Sequence, residues 1–279
     1  MTENMLINGK IDGGISPLDR GFQYGDGLFE TILVESGRAS FLSAHLSRLQ
    51  KGCVVLGFPV PDMTVIDNEI TRLIANHKYG VIKIILSRGL GERGFLPPNK
   101  PSITRVITFN SAGKGIAKSL RPINLTLCQT RLSKQPLLAG IKHLNQLERV
   151  LARTELGELG QVEGLMLDTD GAVIEGTMSN LFIVKNDVLI TPKLDNCGVS
   201  GVIRNMLIEH AQADRIPCKV DVLTLDELQE AEEIFITNSL MPIRPVTGIS
   251  SGGTTVYKNG TSHAQWALEC ILTAIAKGV

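Results

Sequence analysis

The sequence has few of the residues that mark nucleic-acid-binding and membrane proteins. It contains three Tyr, one Trp and eight Phe among 279 residues, and its 28 Lys and Arg residues balance 28 Asp and Glu residues. Nucleic-acid binding needs a basic surface, and the binding of single strands also needs stacking rings. No apolar run approaches the roughly 20 residues of a membrane-spanning helix. We therefore expect neither nucleic acid nor a membrane as a partner.

Signals for export and for cross-linking are also absent. The first five residues contain no basic segment and lead into no long apolar run of the kind found in signal peptides. The five cysteines, at positions 53, 128, 197, 218 and 270, are odd in number, and none forms a C-x-x-C pair. Disulfide frameworks and zinc sites usually need paired cysteines. The sequence therefore predicts a cytoplasmic protein without a metal site.

A glycine-rich segment over residues 89–94 matches the G-x-G-x-x-G pattern but lacks the context of a dinucleotide site. That fingerprint needs a helix next and an acidic residue about 20 positions later. Here Pro97 and Pro98 follow, and proline cannot continue a helix. We therefore reject the dinucleotide interpretation. Arg88 and Arg93 in this region have forked guanidinium groups suited to a carboxylate, and we favour Arg93 for that role.

The order of the predicted elements indicates two domains of the α+β class. Strand and helix patterns follow each other irregularly up to about residue 112, and Gly164 to Thr191 is predicted as a β-meander. Regular βαβ alternation, the sign of a doubly wound sheet, is absent. We predict a small α/β N-terminal domain over residues 1–112, an interdomain linker over 113–120, and a larger strand-rich C-terminal domain over 121–279.

The apolar pattern predicts the buried faces of two helices. Apolar residues spaced three and four apart predict one buried face on each helix. In the helix predicted over residues 63–77, that face consists of Ile66, Ile70, Leu73 and Ile74. In the helix predicted over about residues 144–156, it consists of Leu144, Leu147, Val150 and Leu151.

Lys142 is the residue whose surroundings suggest chemistry. It lies between an apolar segment that contains Gly140 and the start of an amphipathic helix. A lysine enclosed by apolar residues loses charge more easily and can act as a nucleophile that forms a Schiff base. Spacing alone, however, favours a solvated lysine, and the same holds for Arg48 on a helix and Glu175 at a strand end.

Two further segments suit a phosphate group. Gly201 precedes a predicted helix, and the backbone N–H groups at such a helix start can bind an anion. The predicted strand over residues 234–236 ends in Thr237, Asn238 and Ser239, three small polar residues. Each feature is equally expected of an ordinary helix start or turn.

Taken together, these segments resemble one family, the fold-type IV enzymes that depend on pyridoxal phosphate (PLP). The family includes branched-chain and D-amino acid aminotransferases and aminodeoxychorismate lyase. The matching patches follow one another along the chain: Phe29-Glu30-Thr31, His45-Leu46-Ser47-Arg48-Leu49, Ile141-Lys142, Leu167-Asp168 with Gly171 and Glu175, Asn180-Leu181-Phe182, Thr191-Pro192, Gly201-Val202-Ile203-Arg204, and Thr237-Asn238-Ser239-Leu240-Met241-Pro242.

The resemblance implies PLP as cofactor and a role for each matching residue. Lys142 looks like the lysine that bonds to PLP, Glu175 like the carboxylate that pairs with the pyridine nitrogen, and Arg48 like the phosphate-binding arginine. The positions that complete the phosphate site match Val202, Ile203, Asn238 and Ser239. A carboxylate at the ring nitrogen keeps it protonated, so that the ring can accept electrons. The resemblance also implies a two-fold homodimer and a strand-rich pseudo-barrel in the C-terminal domain.

Within the family, the run from Ala139 to Glu148 looks closest to aminodeoxychorismate lyase. The Gly-Asn-Tyr sequence expected after the lysine of branched-chain aminotransferases is absent. The resemblance therefore implies conversion of 4-amino-4-deoxychorismate to 4-aminobenzoate and pyruvate. Lys142 would move the proton, Thr31 would assist, and Arg93 or Arg88 would hold a substrate carboxylate. The alternatives are a D-amino acid or branched-chain aminotransferase and a non-catalytic scaffold.

Overall fold

The computed structural model describes residues 4–11, 13–160, 162–251, 254–257 and 260–278. The chain divides into two compact units. The first unit contains the chain up to Ile116, the segment Ile141–Asn145 and the stretch that begins at Lys277; the second contains Ala117–Gly140 and Gln146–Ala276. Within the described ranges, no helix is both long and apolar enough to cross a bilayer.

The first unit is built on an antiparallel sheet that has five strands among the described residues. The strand order is β1-β5-β4-β2-β3, and every neighbouring pair is antiparallel. The strands are β1 (Met5–Ile7), β2 (Gly27–Glu35), β3 (Arg38–Ala39), β4 (Gly80–Ser87) and β5 (Thr104–Ser111). The helices are α1 (Arg20–Tyr24), α2 (Leu42–Leu56) and α3 (Met63–Ile74).

The helices of this unit cover the sheet with the faces that the apolar pattern predicts. The predicted face of α3 is buried: Ile66, Ile70, Leu73 and Ile74. Helix α2 approaches β2 closely at Gly52, where a Cβ atom would lie 2.7 Å from both methyl groups of Leu28. A larger residue at position 52 would therefore push α2 away from β2.

The segment Ile141–Asn145 joins the first unit by pairing with β2. The N–H of Phe29 donates to the carbonyl of Lys142 over 3.0 Å, and the N–H of Leu144 donates to the carbonyl of Gly27 over 3.0 Å. The sequence prediction placed Lys142 in the C-terminal domain, whereas these contacts place it in the first unit. The reason is that the segment pairs with a strand more than a hundred residues earlier, which the order of elements along the chain does not reveal.

The second unit is built on a mixed sheet that counts nine strands over the described parts of the chain. Its order is β11-β10-β9-β12-β13-β6-β7-β8, and β14 pairs with β13 beside this path. The strands are β6 (Ile123–Leu127), β7 (Gly164–Leu167), β8 (Val173–Gly176), β9 (Asn180–Lys185), β10 (Val188–Pro192), β11 (Cys218–Asp221), β12 (Glu233–Thr237), β13 (Arg244–Ser251) and β14 (Thr254–Tyr257). The helices are α4 (Leu147–Glu158), α5 (Val202–Ala213), α6 (Leu225–Glu230) and α7 (Ser262–Lys277).

The predicted meander over residues 164–191 forms four strands, but these are not four consecutive neighbours. β7 pairs with β8, and β9 pairs with β10 as a second hairpin, while β12 lies on the other side of β9. The buried side chains of β9 and β12 form part of a large apolar cluster: Leu181, Ile183, Ile234 and Ile236. Pattern alone predicts the strands correctly and leaves their neighbours undetermined.

Helix α4 differs from its sequence prediction. Three residues of the predicted buried face are instead 77%, 55% and 59% exposed: Leu147, Val150 and Leu151. The buried residues of α4 are Ala152 and Leu156. On the same inner side, Glu155 accepts hydrogen bonds from the N–H groups of Gln129 and Thr130. The inner face of α4 therefore combines the apolar residues Ala152 and Leu156 with a hydrogen-bonding carboxylate, and the face predicted from apolar spacing lies on the outer side.

Candidate functional site

Lys142 lies against an aromatic ring in the first unit. Its Nζ is 4.3 Å from the ring centroid of Phe29, a distance at which the ring face attracts a cation. The side chain is partly buried, and Ile141 before it is buried. Because the carbonyl of Lys142 is bonded to the N–H of Phe29, the start of the lysine side chain is fixed relative to β2.

Thr31 belongs to the same face of β2 as Phe29. Successive side chains of a strand point to opposite faces, so residues two apart share a face. Thr31 is partly buried and pairs with Lys83 across the β2–β4 ladder. The structure therefore brings Phe29, Thr31 and Lys142 to one side of β2, as a role for Thr31 near the lysine requires.

The opposite face of β2 carries a buried ion network centred on Glu30, which is 0% exposed. Arg48 on α2 donates from Nε to Oε1 over 2.7 Å and from Nη2 to Oε2 over 2.5 Å. His45 lies one turn earlier on α2, with its Nδ1 2.7 Å from Oε2. Burial alone would raise the pKa of Glu30, but the charge and hydrogen bonds of Arg48 and the bond from His45 outweigh it and lower the pKa to about 2.

His45 is a neutral imidazole in this network. Its burial lowers its pKa; Glu30 acts in the opposite direction, and the charges of Arg48 and Lys142 add to the lowering. A carboxylate can only accept, so the hydrogen bond to Glu30 assigns the proton to Nδ1. Nε2 is buried and has no hydrogen-bond partner among the described residues. It is therefore an acceptor whose lone pair faces the protein interior.

Arg48, the predicted phosphate-binding arginine, has its orientation fixed by this carboxylate. The bidentate contact with Glu30 is the strongest geometry available to a guanidinium group. It also balances the charge of Arg48. Binding of a phosphate by Arg48 would therefore depend on directed N–H donation more than on net positive charge.

Glu175 is the centre of a second buried group, which belongs to the second unit. Glu175 stands at the end of β8 and is 3% exposed. Its Oε2 accepts from the N–H of Val199 over 2.9 Å and from Nδ2 of Asn180 over 3.2 Å. Its Oε1 accepts from Nη2 of Arg149, with which it forms an ion pair. The carboxylate is thus held at both oxygens by three different donors.

Arg149 is the residue of this group that the sequence interpretation missed. It lies near the start of α4, three positions before Ala152 and seven before Leu156, the buried residues of that helix. Helical residues with this spacing share a face. The spacing was therefore a usable signal, but it becomes visible only once the buried side of α4 is known.

The start of α5 has the features of an anion site in the second unit. Gly201 is its N-cap and supplies no side-chain cap, so the first N–H groups of the helix remain available to a ligand. A Cβ atom at Gly201 would collide with Oδ1 of Asn180. Asn180 is also the ladder partner of Thr237, whose hydroxyl is buried and has no hydrogen-bond partner in the described part of the chain. An uncapped helix start and an unpaired hydroxyl fit a ligand with an anionic group.

Asn238 is held within its own turn. Its Oδ1 accepts from the N–H groups of Leu240 and Met241 over 2.9 and 2.7 Å, and its Nδ2 donates to the carbonyl of Met178 over 3.2 Å. This bonding shapes the turn after β12. Ser239, the other predicted phosphate contact of the turn, is partly buried.

Arg88 and Arg93 have very different surroundings. Arg88 is buried, donates from Nε and Nη2 to Asp26, and donates further to the carbonyls of Leu56 and Gly57 at the end of α2. Its donors therefore hold α2 to the end of β4. Arg93 is exposed. Of the two predicted arginines, Arg93 is the one whose surroundings leave it accessible to a substrate carboxylate.

Asp26 also binds a second buried arginine, Arg20. Arg20 donates to Asp26 over 2.8 Å and to the carbonyls of three consecutive residues: Gly94, Phe95 and Leu96. Burial alone would raise the pKa of Asp26, but hydrogen bonds and charges from Arg88 and Arg20 outweigh it and lower the pKa. The network ties the loop after Arg93 to the start of β2.

The five cysteines carry free thiols. Burial raises the pKa of Cys128 to about 12 and that of Cys53 to about 11, so these two thiols are poor nucleophiles. In the described part of the chain, no cluster of three or more His, Cys, Asp or Glu side chains could hold a metal ion.

Comparison with known proteins gives consistent similarities along most of the chain. A family model described as amino-transferase class IV matches residues 27–249. An aminodeoxychorismate lyase of Vibrio harveyi is 37% identical over 247 residues, which cover 88% of this chain and 91% of that protein. A crystal structure of 4-amino-4-deoxychorismate lyase from Pseudomonas aeruginosa aligns with a TM-score of 0.85 and 38% identity, over 95% of this chain and 97% of its own. A D-alanine aminotransferase of Listeria innocua is 27% identical over 94% of this chain and 92% of its own.

Proposed function

The chain belongs to the amino-transferase class IV family, as its resemblance predicted, and we propose that it is a PLP-dependent 4-amino-4-deoxychorismate lyase. The reaction would convert 4-amino-4-deoxychorismate to 4-aminobenzoate and pyruvate. Two relatives with that activity in their names are 37% and 38% identical over most of the chain. The structural observation that carries the proposal is the position of Lys142, which is fixed along β2 with its amine against Phe29.

For PLP binding we propose one role for each of the matching residues. Lys142 would hold the cofactor covalently, Glu175 would accept the N–H of its ring nitrogen, and Arg48 would donate to its phosphate. The other proposed phosphate contacts are Val202, Ile203, Asn238 and Ser239. The uncapped start of α5 and the hydroxyl of Thr237, which has no partner among the described residues, support this assignment, because a dianionic phosphate needs N–H and O–H donors. Asn238 would act through the shape of its turn.

Bound PLP supplies an electron-accepting ring that stabilises negative charge on the substrate carbon attached to nitrogen. Lys142, once the substrate amine has taken its place, would remove the proton from that carbon. The carbon–oxygen bond to the enolpyruvyl group then breaks with the electron pair going to oxygen. A proton delivered to the departing enolpyruvate would give pyruvate, and the remaining ring would become aromatic. The amine of Lys142 would then replace the nitrogen of 4-aminobenzoate on the cofactor and release the product.

The surroundings of Lys142 suit an amine that must take up a proton. The ring of Phe29 lies 4.3 Å from Nζ and stabilises the ammonium form once the proton has been taken. Thr31, on the same face of β2, would assist a proton transfer with its hydroxyl. Arg93 would hold a substrate carboxylate, since its guanidinium is exposed and that of Arg88 is engaged by Asp26 and main-chain carbonyls.

We also propose that the active form is a two-fold homodimer in the cytoplasm, and that its 4-aminobenzoate serves folate biosynthesis. The exposed apolar residues of α4 support a dimer, since large apolar side chains on a surface favour association. Sedimentation of the purified protein tests the oligomeric state.

Two classes of substrate distinguish the proposed lyase from an aminotransferase. PLP-loaded protein would be given 4-amino-4-deoxychorismate in one experiment, and D-alanine or branched-chain amino acids in the other. We expect 4-aminobenzoate and pyruvate in equal amounts from the first, and little pyridoxamine phosphate from the second. Production of pyridoxamine phosphate without 4-aminobenzoate would identify an aminotransferase, which the D-alanine aminotransferase relative keeps as the second candidate.

A simpler measurement distinguishes the proposed enzyme from a non-catalytic scaffold. A lysine bonded to PLP gives visible absorbance that borohydride reduction removes and that Lys142→Ala lacks. Absence of this absorbance in the unmodified protein after incubation with PLP would contradict the proposed enzyme.

A further inference from the structure

Arg149 has an unusual position for a charged residue. It lies on the inner face of α4, with its side chain 14% exposed, while the apolar residues Leu147, Val150 and Leu151 of the same helix point outwards. Burying a guanidinium group is costly unless it is paired. The partner of Arg149 is Glu175, the carboxylate assigned above to the ring nitrogen of PLP.

The hydrogen bonds of Glu175 determine where a further donor can bind. Each carboxylate oxygen has two lone pairs. Oε2 already accepts two hydrogen bonds, from Val199 and Asn180. Among the described residues, Oε1 accepts one, from Nη2 of Arg149. A further donor, such as a ring N–H, would therefore bind the remaining lone pair of Oε1, the oxygen that Arg149 already binds.

We infer that Arg149 is a positioning residue that shares Oε1 of Glu175 with the ring nitrogen of PLP and thereby sets how firmly that nitrogen keeps its proton. This inference rests on the proposed function. The guanidinium fixes the carboxylate, and its positive charge opposes the positive charge of the protonated ring nitrogen bound to the same oxygen. Arg149 thus makes the ring nitrogen lose its proton at a lower pH than Glu175 alone would allow.

A role limited to charge balance makes different predictions. If Arg149 only compensated a buried carboxylate, replacing it would weaken folding or PLP binding without raising the pH at which the ring nitrogen titrates. Arg149→Met removes both charge and donors, whereas Arg149→Lys keeps the charge. Arg153 offers a matched control, because it lies one turn further along α4 and donates to the carbonyl of Val162 instead of Glu175.

The test is an NMR titration of holoenzyme loaded with PLP that carries ¹⁵N at the ring nitrogen. In Arg149→Met, we expect the midpoint of ring-nitrogen deprotonation to rise by about one pH unit, the usual size for loss of one neighbouring charge. Arg149→Lys and Arg153→Met should stay near the wild-type midpoint. An unchanged or lower midpoint in Arg149→Met would overturn the inference.

A second variant and a separate test of PLP binding allow the inference to be tested even if Arg149→Met is unstable. If Arg149→Met does not fold or retain PLP, Arg149→Gln, which keeps an N–H donor without the charge, should show the same rise, and a midpoint equal to wild type would again overturn the inference. Borohydride trapping of PLP on wild-type protein tests the proposed function separately. Failure to trap PLP on Lys142 rejects the function itself, whereas successful trapping with unchanged midpoints rejects only the role of Arg149.

Discussion

Glu30 and Glu175 are both buried carboxylates paired with an arginine, but their partners differ in kind. Glu30, in the first unit, is bound by Arg48 and His45, two side chains of α2. Glu175, in the second unit, is bound at Oε2 by the backbone of Val199 and by an amide, and at Oε1 by one nitrogen of Arg149.

This difference indicates what each carboxylate does. Glu30 orients Arg48, and Nε2 of His45 has no hydrogen-bond partner in the part of the chain that the structure describes. Glu175 is itself oriented by its partners, and its Oε1 accepts a single hydrogen bond from the described residues. Glu30 is bound by the side chains of Arg48 and His45 and orients them, whereas the backbone N–H of Val199 helps to fix Glu175, as we expect of a carboxylate held for a ligand.

Among the changes that test this contrast between Glu30 and Glu175, removal of the charge on Glu30 has the largest expected effect. Glu30→Gln would leave Arg48 buried beside a neutral amide. We expect a loss of about 3–5 kcal/mol in the free energy of unfolding, the usual cost of breaking a buried ion pair. Urea denaturation measures it.

Glu69→Gln is the matched control. Glu69 forms a bidentate pair with Arg105 in the same unit, with distances of 2.6 and 2.5 Å, but both side chains are more exposed than those of the Glu30 pair. Glu69→Gln should therefore lower the free energy of unfolding by clearly less than Glu30→Gln does. Equal losses for the two variants would mean that burial does not distinguish Glu30.

The pH dependence of unfolding gives the next largest effect. The folded-state pKa of Glu30 is about 2, below the unfolded value of 4.5. A lowered pKa contributes stability that is present above about pH 4.5 and is lost as the pH falls towards 2. We expect about 3 kcal/mol to be lost across that window, at about 1.4 kcal/mol per pKa unit, and Glu30→Gln should lose much less. If the free energy of unfolding fell equally with pH in the wild-type protein and in Glu30→Gln, the lowered pKa of Glu30 would be contradicted.

Glu175→Gln should reduce catalysis more than stability. An amide in place of the carboxylate can still bond to Val199, but it no longer compensates a positive ring nitrogen. We expect kcat to fall about a hundredfold, the lower range for loss of one electrostatic contact in an active site. Steady-state formation of 4-aminobenzoate measures it. A loss confined to unfolding stability, with kcat unchanged, would make Glu175 resemble Glu30.

Asn180→Ala should have the smallest effect of the series. It removes the 3.2 Å hydrogen bond from Nδ2 to Oε2 of Glu175 and the bond from Nδ2 to the carbonyl of Val199, but it leaves the bond from the N–H of Val199 to the carboxylate. Loss of one long hydrogen bond to the carboxylate costs about 1 kcal/mol, so the affinity for PLP should weaken about fivefold. Titration of the apoprotein with PLP measures it. A loss as large as that of Glu175→Gln would show that Asn180 holds more than the carboxylate.

Sequence pattern predicts those features that depend on local spacing. The buried face of α3 and the strands of residues 164–191 follow from it, because side-chain direction repeats with the period of each element. The resemblance predicted the family as well, since its motifs are short segments whose residue types are fixed by chemistry.

Features that depend on distant contacts could not be predicted in this way. Arg88 has the residue type expected of a substrate-binding arginine, but Asp26 and the end of α2 engage it. The inner face of α4 carries polar as well as apolar residues, because Glu155 binds the N–H groups of residues 129 and 130. Arg149 is hidden for the same reason, since apolar spacing cannot identify a buried charge.

The pairing of Lys142 with Phe29 also sets the order in which the protein can be completed during synthesis. The carbonyl that receives the N–H of Phe29 belongs to a residue made 113 positions later. Ribosomes add about 5–20 residues per second, so the edge of β2 waits roughly 6–23 seconds for this partner. The lysine that would carry the chemistry therefore joins the sheet late, and its segment covers the part of the β2 edge at Gly27 and Phe29, where backbone groups would otherwise stay open to other chains.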